Sequence, residues 1–263
     1  MSIFQAFILG LVQGLAEFLP ISSSGHLELV QTLFGINQSN SIALEVMLHV
    51  GTLIAVFVVY WKRIWNMIMH PVKSELWLLV VATIPAVIAQ LAFGDFFESG
   101  ALYLGFSFLI TSVLLCVADM LGDIQKKHKE VNWKDALIMG VMQAVAILPG
   151  VSRSGATITG GLGAGLTRKK AADFSFLMSI PAIMGGLVLS LKEILDGSAI
   201  AGAGGWGPVL VGIVTAAVFG FLAIRTMLHI IRKISLNWFA IYTAILGAAL
   251  LANNYVFHWI ALG

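Results

Sequence analysis

Two short stretches of the chain concentrate the residues that can do chemistry. The first reads Gln13-Gly-Leu-Ala-Glu17-Phe-Leu-Pro20-Ile-Ser22-Ser23-Ser24-Gly25-His26, and the second Pro149-Gly150-Val151-Ser152-Arg153-Ser154-Gly155-Ala156-Thr157. Gln13 and Glu17 stand four apart and share one face of a helix. Pro20 ends that helix. The serines and Gly25 then form a turn before a second helical stretch that begins near Leu27. Backbone N–H groups at such a helix start, joined by hydroxyls, receive anions. His26 lies just past the serines, close enough to share that site. The second stretch has the same turn chemistry, but Arg153 replaces Ser23 and Ile147 replaces Glu17. One stretch supplies a carboxylate and an imidazole, the other a fixed positive charge with hydroxyls on both sides.

The surroundings of these residues are apolar. Of 263 residues, 59% are hydrophobic and 11% charged, with a mean hydropathy of +0.96. A soluble domain carries roughly 25% charged residues, so a cytosolic globule is excluded and an integral membrane protein is expected. The formal charge of +2 gives no reason to expect a nucleic-acid partner. A single cysteine, Cys116, rules out a disulfide framework or a cysteine metal cluster. His70, His128, His229 and His258 have no metal-ligand spacing. An ionisable side chain at mid-bilayer costs about 2.5–3.5 kcal/mol even on lenient scales, so Glu17 and Arg153 are functional candidates by default. The plainer alternatives are a mutual structural ion pair for these two, helix caps for Ser22 and Ser154, and interhelical packing for Gln13 and Gln143.

Five uncharged runs (76–94, 101–118, 174–191, 206–224 and 236–257) are long enough to span a hydrocarbon core, and 41–61 qualifies despite Glu45 and His49. Glu45 and His49, four apart at the start of that run, could support the site or the mouth of its cavity. The two chemistry-bearing regions, 1–30 and 136–166, are too long for one plain span and too short for two. Threading the six spans places 13 of the 15 Lys and Arg residues on one side, provided that 136–166 returns to the side it entered from. That predicts re-entrant hairpins, with the basic loops cytoplasmic and both termini opposite. The absence of Lys or Arg before Lys62 argues against a cleaved signal peptide. Laying 6–26 over 136–156 gives eight identities in 21 positions, among them Gln13/Gln143, Ser22/Ser152, Ser24/Ser154 and Gly25/Gly155. The expected fold is therefore all-α: a single polytopic membrane domain of six transmembrane helices plus two re-entrant helix hairpins, in inverted-topology repeats over 1–130 and 131–263. Such repeats put ligand sites near the midplane, and they leave a secondary transporter, or a carrier of a lipid headgroup, as alternatives to an enzyme.

In the two quoted segments the chain resembles the bacterial undecaprenyl-diphosphate phosphatases of the bacitracin-resistance type, with weaker similarity at 44–56 and 174–185. The resemblance implies six spans plus two re-entrant hairpins in a bacterial plasma membrane. It also implies hydrolysis of a polyprenyl diphosphate lipid to the monophosphate carrier of cell-wall precursors, and use of a divalent cation, Mg²⁺ or Ca²⁺. Carried over by position, Glu17 and Gln13 form the metal-associated motif. Ser22, Ser23 and His26 belong to the catalytic turn, and Ser152, Arg153, Ser154 and Thr157 hold the diphosphate. The turn amides beside Ser24, Gly25 and Gly155 complete the substrate-binding set. Many members carry a second glutamate where this chain has Gln13, which offers only a neutral carbonyl. His26 and Ser23 compete as the nucleophile, Glu17 and Arg153 complete the catalytic set, and membrane lipids surround the protein. The oligomeric state is left open, a homodimer included.

Overall fold

A computed structural model describes residues 1–36, 41–71, 74–97, 104–123, 130–195, 200 and 203–257. The regular elements among them are helices. The first half comprises α1 (Ile3–Phe18), α2 (Ser23–Leu33), α3 (Ser41–Met69), α4 (Leu76–Phe97) and α5 (Leu104–Asp123). The second comprises α6 (Trp133–Val145), α7 (Arg153–Gly163), α8 (Arg168–Leu189), α9 (Leu191–Leu195), α10 (Trp206–Ile230) and α11 (Asn237–Ala252), with a π-helical turn over Asn253–Phe257. Five stretches among the described residues are long and apolar enough to cross a membrane: Glu45–Met69, Leu76–Gly94, Leu104–Gly122, Arg168–Leu189 and Trp206–Ile230. The sixth expected span, 236–257, is a regular helix for only 16 residues before the π turn. At 1.5 Å per residue it covers about 24 Å. Three other spans run past an expected end into basic residues: α3 continues through Met69, α8 begins at Arg168, and α10 continues through Ile230. Their basic ends are thus helical, because long cationic side chains keep their heads in the interface while the backbone stays hydrogen-bonded. Val80, Ile84, Val87, Ile88 and Leu91 form an exposed stripe along α4, a surface suited to lipid and not to water.

Local signals explain both helix–turn–helix segments. Ser2 and Gln5 form a capping box at the start of α1, and Asn132 and Asp135 do the same for α6. α1 stops just ahead of Pro20. Ser22 and Ser152 cap α2 and α7 by accepting from the amides of Gly25 (3.3 Å) and Gly155 (3.1 Å). In each segment the two arms pack on one another, and the first arm also packs on a long helix of the other half, α1 on α10 and α6 on α4. Gly10 and Gly140 allow these approaches. A Cβ on Gly10 would lie 2.5 Å from the carbonyl oxygen of Gly212, and one on Gly140 2.4 Å from that of Ala82. α3 likewise meets α10 as α8 meets α4, while α3 packs on α8 and α5 on α11.

At the end of the molecule that carries Arg168, Asp119 of α5 is buried and ties three helices together. It accepts from Arg168 (2.9 Å), from the Leu236 amide (2.8 Å), and from the side chains of Ser235 (2.5 Å) and Asn237 (2.9 Å). α11 has no side-chain cap of its own, so a carboxylate from another helix satisfies its first amide. Gly140→Ala forces backbone against backbone and is expected to cost about 1–3 kcal/mol, read as a lowered melting temperature in detergent. Unchanged melting would mean that α4 and α6 separate freely.

Candidate active site

The two turns meet. Ser24 Oγ accepts from the Gly150 amide (3.4 Å), and Ser154 Oγ donates to the Leu19 carbonyl (3.2 Å). The hydroxyls of corresponding serines thus reach across to the backbone of the opposite turn. Within each turn the serine pair is also close, Ser22 to Ser24 at 3.5 Å and Ser152 to Ser154 at 3.3 Å. The backbones are not identical. Ser22 adopts φ +74°, a left-handed conformation rare outside glycine, whereas the positive φ of the second turn falls on Gly150 (+84°).

Where the turns touch, α2 and α7 begin, and the positive ends of two helices converge. A cavity of about 250 Å³ lies there, lined by Glu17, Ser23, Ser24, Ser152, Arg153, Ser154 and His49, with an apolar remainder that includes Val46, Ala182 and Ile183. Small-molecule pockets start at roughly 300 Å³, so this chamber suits a headgroup and not a whole lipid. Glu17 is its hub. Its Oε1 accepts from Arg153 Nη2 at 2.6 Å, and its Oε2 accepts from Ser23 Oγ at 2.6 Å and Gln13 Nε2 at 3.1 Å. His49 Nε2 is 3.5 Å from the same Oε2, and its Nδ1 faces the Glu45 carbonyl at 2.7 Å. With an acceptor opposite each nitrogen, the ring is attracted to both only as the imidazolium. Glu45 itself accepts from Gln31 (3.1 Å).

Six of the residues singled out from the sequence therefore line one chamber: Glu17, Ser23, Ser24, Ser152, Arg153 and Ser154. Gln13 lies behind Glu17 and is wholly buried. Ser22, Gly25 and Gly155 form the walls' framework, with the glycine amides given to the capping serines. Thr157 is buried away from the lining, its hydroxyl 2.8 Å from the Arg153 carbonyl and 2.6 Å from Ser175 Oγ. His26 does not line the cavity. Its Nδ1 meets the Ser22 carbonyl (2.7 Å), its Nε2 meets the Tyr242 hydroxyl (2.7 Å), and its ring stacks on Tyr242 and stands edge-on to Phe108. One helical turn beyond Ser23, the imidazole points toward α11, and Tyr242, a lone tyrosine in an apolar span, gave no signal of that pairing.

Two buried polar atoms around Glu17 have no hydrogen-bond partner: Arg153 Nη1 and Gln13 Oε1. An unmade bond to a buried charged group costs on the order of 1–3 kcal/mol or more, so both atoms point to a ligand that completes the site. Among the described residues no three His, Cys, Asp or Glu side chains cluster as a ready-made metal cage. A single carboxylate, with the buried and unpartnered carbonyl oxygen of Gln13 behind it, still fits Mg²⁺ or Ca²⁺ if substrate phosphates supply further oxygens, since Mg²⁺ commonly uses one or two carboxylates.

An all-helical protein with several helices long and apolar enough to cross a membrane belongs to the multi-pass membrane class, and its chamber gathers serines, a guanidinium and a carboxylate. Residues 6–249 match the family described as "Bacitracin resistance protein BacA", and the chain belongs to that family. It is 42% identical to the "Undecaprenyl-diphosphatase" of Carboxydothermus hydrogenoformans over 95% of this chain and 97% of that protein. It is 43% identical to "Undecaprenyl-diphosphatase 4" of Bacillus thuringiensis subsp. konkukian over 95% and 97%. It is 39% identical to the "Undecaprenyl-diphosphatase" of Methanosphaera stadtmanae over 94% and 96%.

Glu17→Gln removes the counter-charge of a largely buried guanidinium and is expected to destabilise the fold by about 3–5 kcal/mol, whereas the double variant Glu17→Leu, Arg153→Met recovers most of that loss. Thermal unfolding of the three proteins in detergent checks this. Equal losses in the single and double variants would mean that the pair is not coupled.

Proposed function

We propose that the protein removes the terminal phosphate of undecaprenyl diphosphate, giving undecaprenyl phosphate and inorganic phosphate and so returning the lipid carrier to cell-wall synthesis. The observation that carries this is the shared chamber, in which Ser23 donates to Glu17 at 2.6 Å while Arg153 binds the same carboxylate through Nη2 and keeps Nη1 open. A nucleophile and a base within 2.6–3.2 Å are the geometry of an activated hydroxyl, and a guanidinium beside them grips phosphate oxygens in a bidentate fork. The relatives' names favour a hydrolase over a transporter for this chain.

In the proposed sequence Ser23 Oγ attacks the terminal phosphorus and its proton passes to Glu17 Oε2. The bond from phosphorus to the bridging oxygen breaks, and the electron pair leaves with the lipid monophosphate. His49, as the imidazolium, can give its Nε2 proton to that oxygen. Arg153, with Ser152, Ser154 and Ser24, holds the transferred group, since phosphoryl transfer depends chiefly on placement and charge neutralisation. Water then attacks the phosphoserine and gives a proton to the now neutral His49, the bond from phosphorus to Ser23 Oγ breaks, and Glu17 returns its proton to Ser23 Oγ. A divalent cation, held by Glu17 and Gln13 Oε1, would neutralise the diphosphate charge. The role of His26 is positioning: it links the α2 turn to Tyr242.

We also infer that the helix–turn–helix segments are re-entrant and that the halves are inverted repeats. The reciprocal packing of α1 on α10 and α6 on α4 supports this. With the basic loops cytoplasmic, the chamber opens toward the other face, because Val46 and His49 at the start of α3 and Ile183 and Gly186 near the end of α8 lie at the non-basic ends of those helices.

Phosphate release from undecaprenyl diphosphate in detergent tests the reading, since transport needs two compartments and hydrolysis does not. Ser23→Ala is expected to lose at least about 10³-fold, and Arg153→Lys about 10²-fold or more because lysine lacks the planar fork. Substrate labelled with ³²P and quenched during turnover leaves an acid-stable label on residue 23. An acid-labile label on residue 26 would overturn the assignment, and no phosphate release from wild type would overturn the function. Chelation of divalent cations is expected to stop turnover, and Gln13→Glu to tighten cation dependence.

A further inference from the structure

At the opposite end of the helices that wall the active site is a second cavity, of about 570 Å³, between α3, α8 and the end of α10. Lys169, Arg225, Arg232 and His229 line it, and no carboxylate does. Three neighbouring cations are matched: Arg63 with Glu75, Arg168 with Asp119, and Lys170 with Glu130. Lys169, Arg225 and Arg232 have no ion-pair partner among the described residues. Their convergence is built by helical spacing, since Phe221, Arg225, Leu228, His229 and Arg232 follow one face of α10 and its terminal turn. The Arg225 guanidinium lies over the Phe221 ring, 5.4 Å from its centroid.

Three like charges turned into one concavity repel one another unless an anion joins them. The walls give that anion a character. Val58 and Phe221 carry apolar surface from the cavity onto the lipid-facing flank, and Val58 itself is exposed. A soluble anion has no use for that surface, whereas a headgroup with hydrocarbon attached does, and basic pockets between spanning helices at the interface bind such headgroups. The site is separate from the catalytic chamber, because the nine residues from His49 to Val58 alone span about 14 Å of helix.

We propose that this groove holds the phosphate headgroup of an anionic phospholipid, with the lipid's chains against Val58 and Phe221. The test uses the full chain in neutral detergent and compares retention of phosphatidylglycerol with that of phosphatidylcholine by native mass spectrometry. Wild type is expected to retain phosphatidylglycerol selectively. Lys169→Gln, Arg225→Gln and Arg232→Gln each weaken retention roughly fivefold, and the triple variant by about 100-fold. Lys233→Gln, at the same end but outside the lining, is expected to change nothing. Phosphate release by the triple variant in neutral detergent stays at the wild-type level, which separates this proposal from the catalytic one. Equal weakening by Lys233→Gln would reduce the groove to diffuse surface charge and overturn the proposal. So would displacement of the lipid by millimolar inorganic phosphate, or undiminished retention in the triple variant.

Discussion

Bringing a carboxylate and a guanidinium together inside an apolar bundle constrains everything around them. Each alone would carry a desolvation cost of several kcal/mol, so Glu17 must be met at every oxygen, and it is: Arg153 on one side, Ser23, Gln13 and His49 on the other. To deliver Arg153 from a residue 136 positions away, the chain breaks a helix in each half and brings the two breaks together. Non-helical backbone at membrane depth is tolerated only where protein or a wet cavity surrounds it. The turns satisfy this by bonding to one another, through Ser24 to the Gly150 amide and Ser154 to the Leu19 carbonyl. The glycine-mediated approaches of α1 to α10 and α6 to α4 then hold the arms at the depth where those bonds can form.

The correspondence between the turns is close in framework and broken in chemistry. Ser22 and Ser152 cap in the same way, yet α7 is buried along most of its length while α2 buries only Gly25, Leu27 and Gln31. α7 thus serves as a core helix that fixes the guanidinium, and α2 keeps one side open. Gln13 and Gln143 show the divergence at one position. Gln13 gives its amide to Glu17, four residues on, but the residue four beyond Gln143 is Ile147, and both polar atoms of the Gln143 amide are buried without a partner.

Much of this was legible in the sequence because its signals are local. Pro20, the serine–glycine turns and the apolar run lengths give the helix breaks, and the i, i+4 spacing puts Gln13 on Glu17. The meeting of Glu17 with Arg153 was legible because two charges within apolar runs have few other ways to be neutralised. What could not be read is set by side-chain direction across helices far apart in sequence. The imidazole of His26 turns to Tyr242, 216 positions away, while His49, which the sequence suggests only as a supporting residue, stands on the chamber wall. Asp119 gave no signal either, since nothing local shows that an aspartate at the end of α5 caps α11. The resemblance places Thr157 among the residues that hold the diphosphate, but its hydroxyl, one turn into a buried helix, bonds back to the Arg153 carbonyl.

The size and position of the chamber bear on how a lipid with one charged end can be handled. Under the proposed function, a cavity of about 250 Å³ takes the diphosphate and leaves the prenyl chain outside, so recognition falls on the headgroup and the bilayer solvates the rest. On that reading selectivity resides in Arg153 and the serines, which share the lining with Val46, Ala146, Val151, Ala182 and Ile183. Val46 of α3 and Ile183 of α8 form part of the apolar side of the cavity, opposite the serines and Arg153 in character. Glu17, bound to Arg153, keeps that guanidinium neutralised within apolar surroundings.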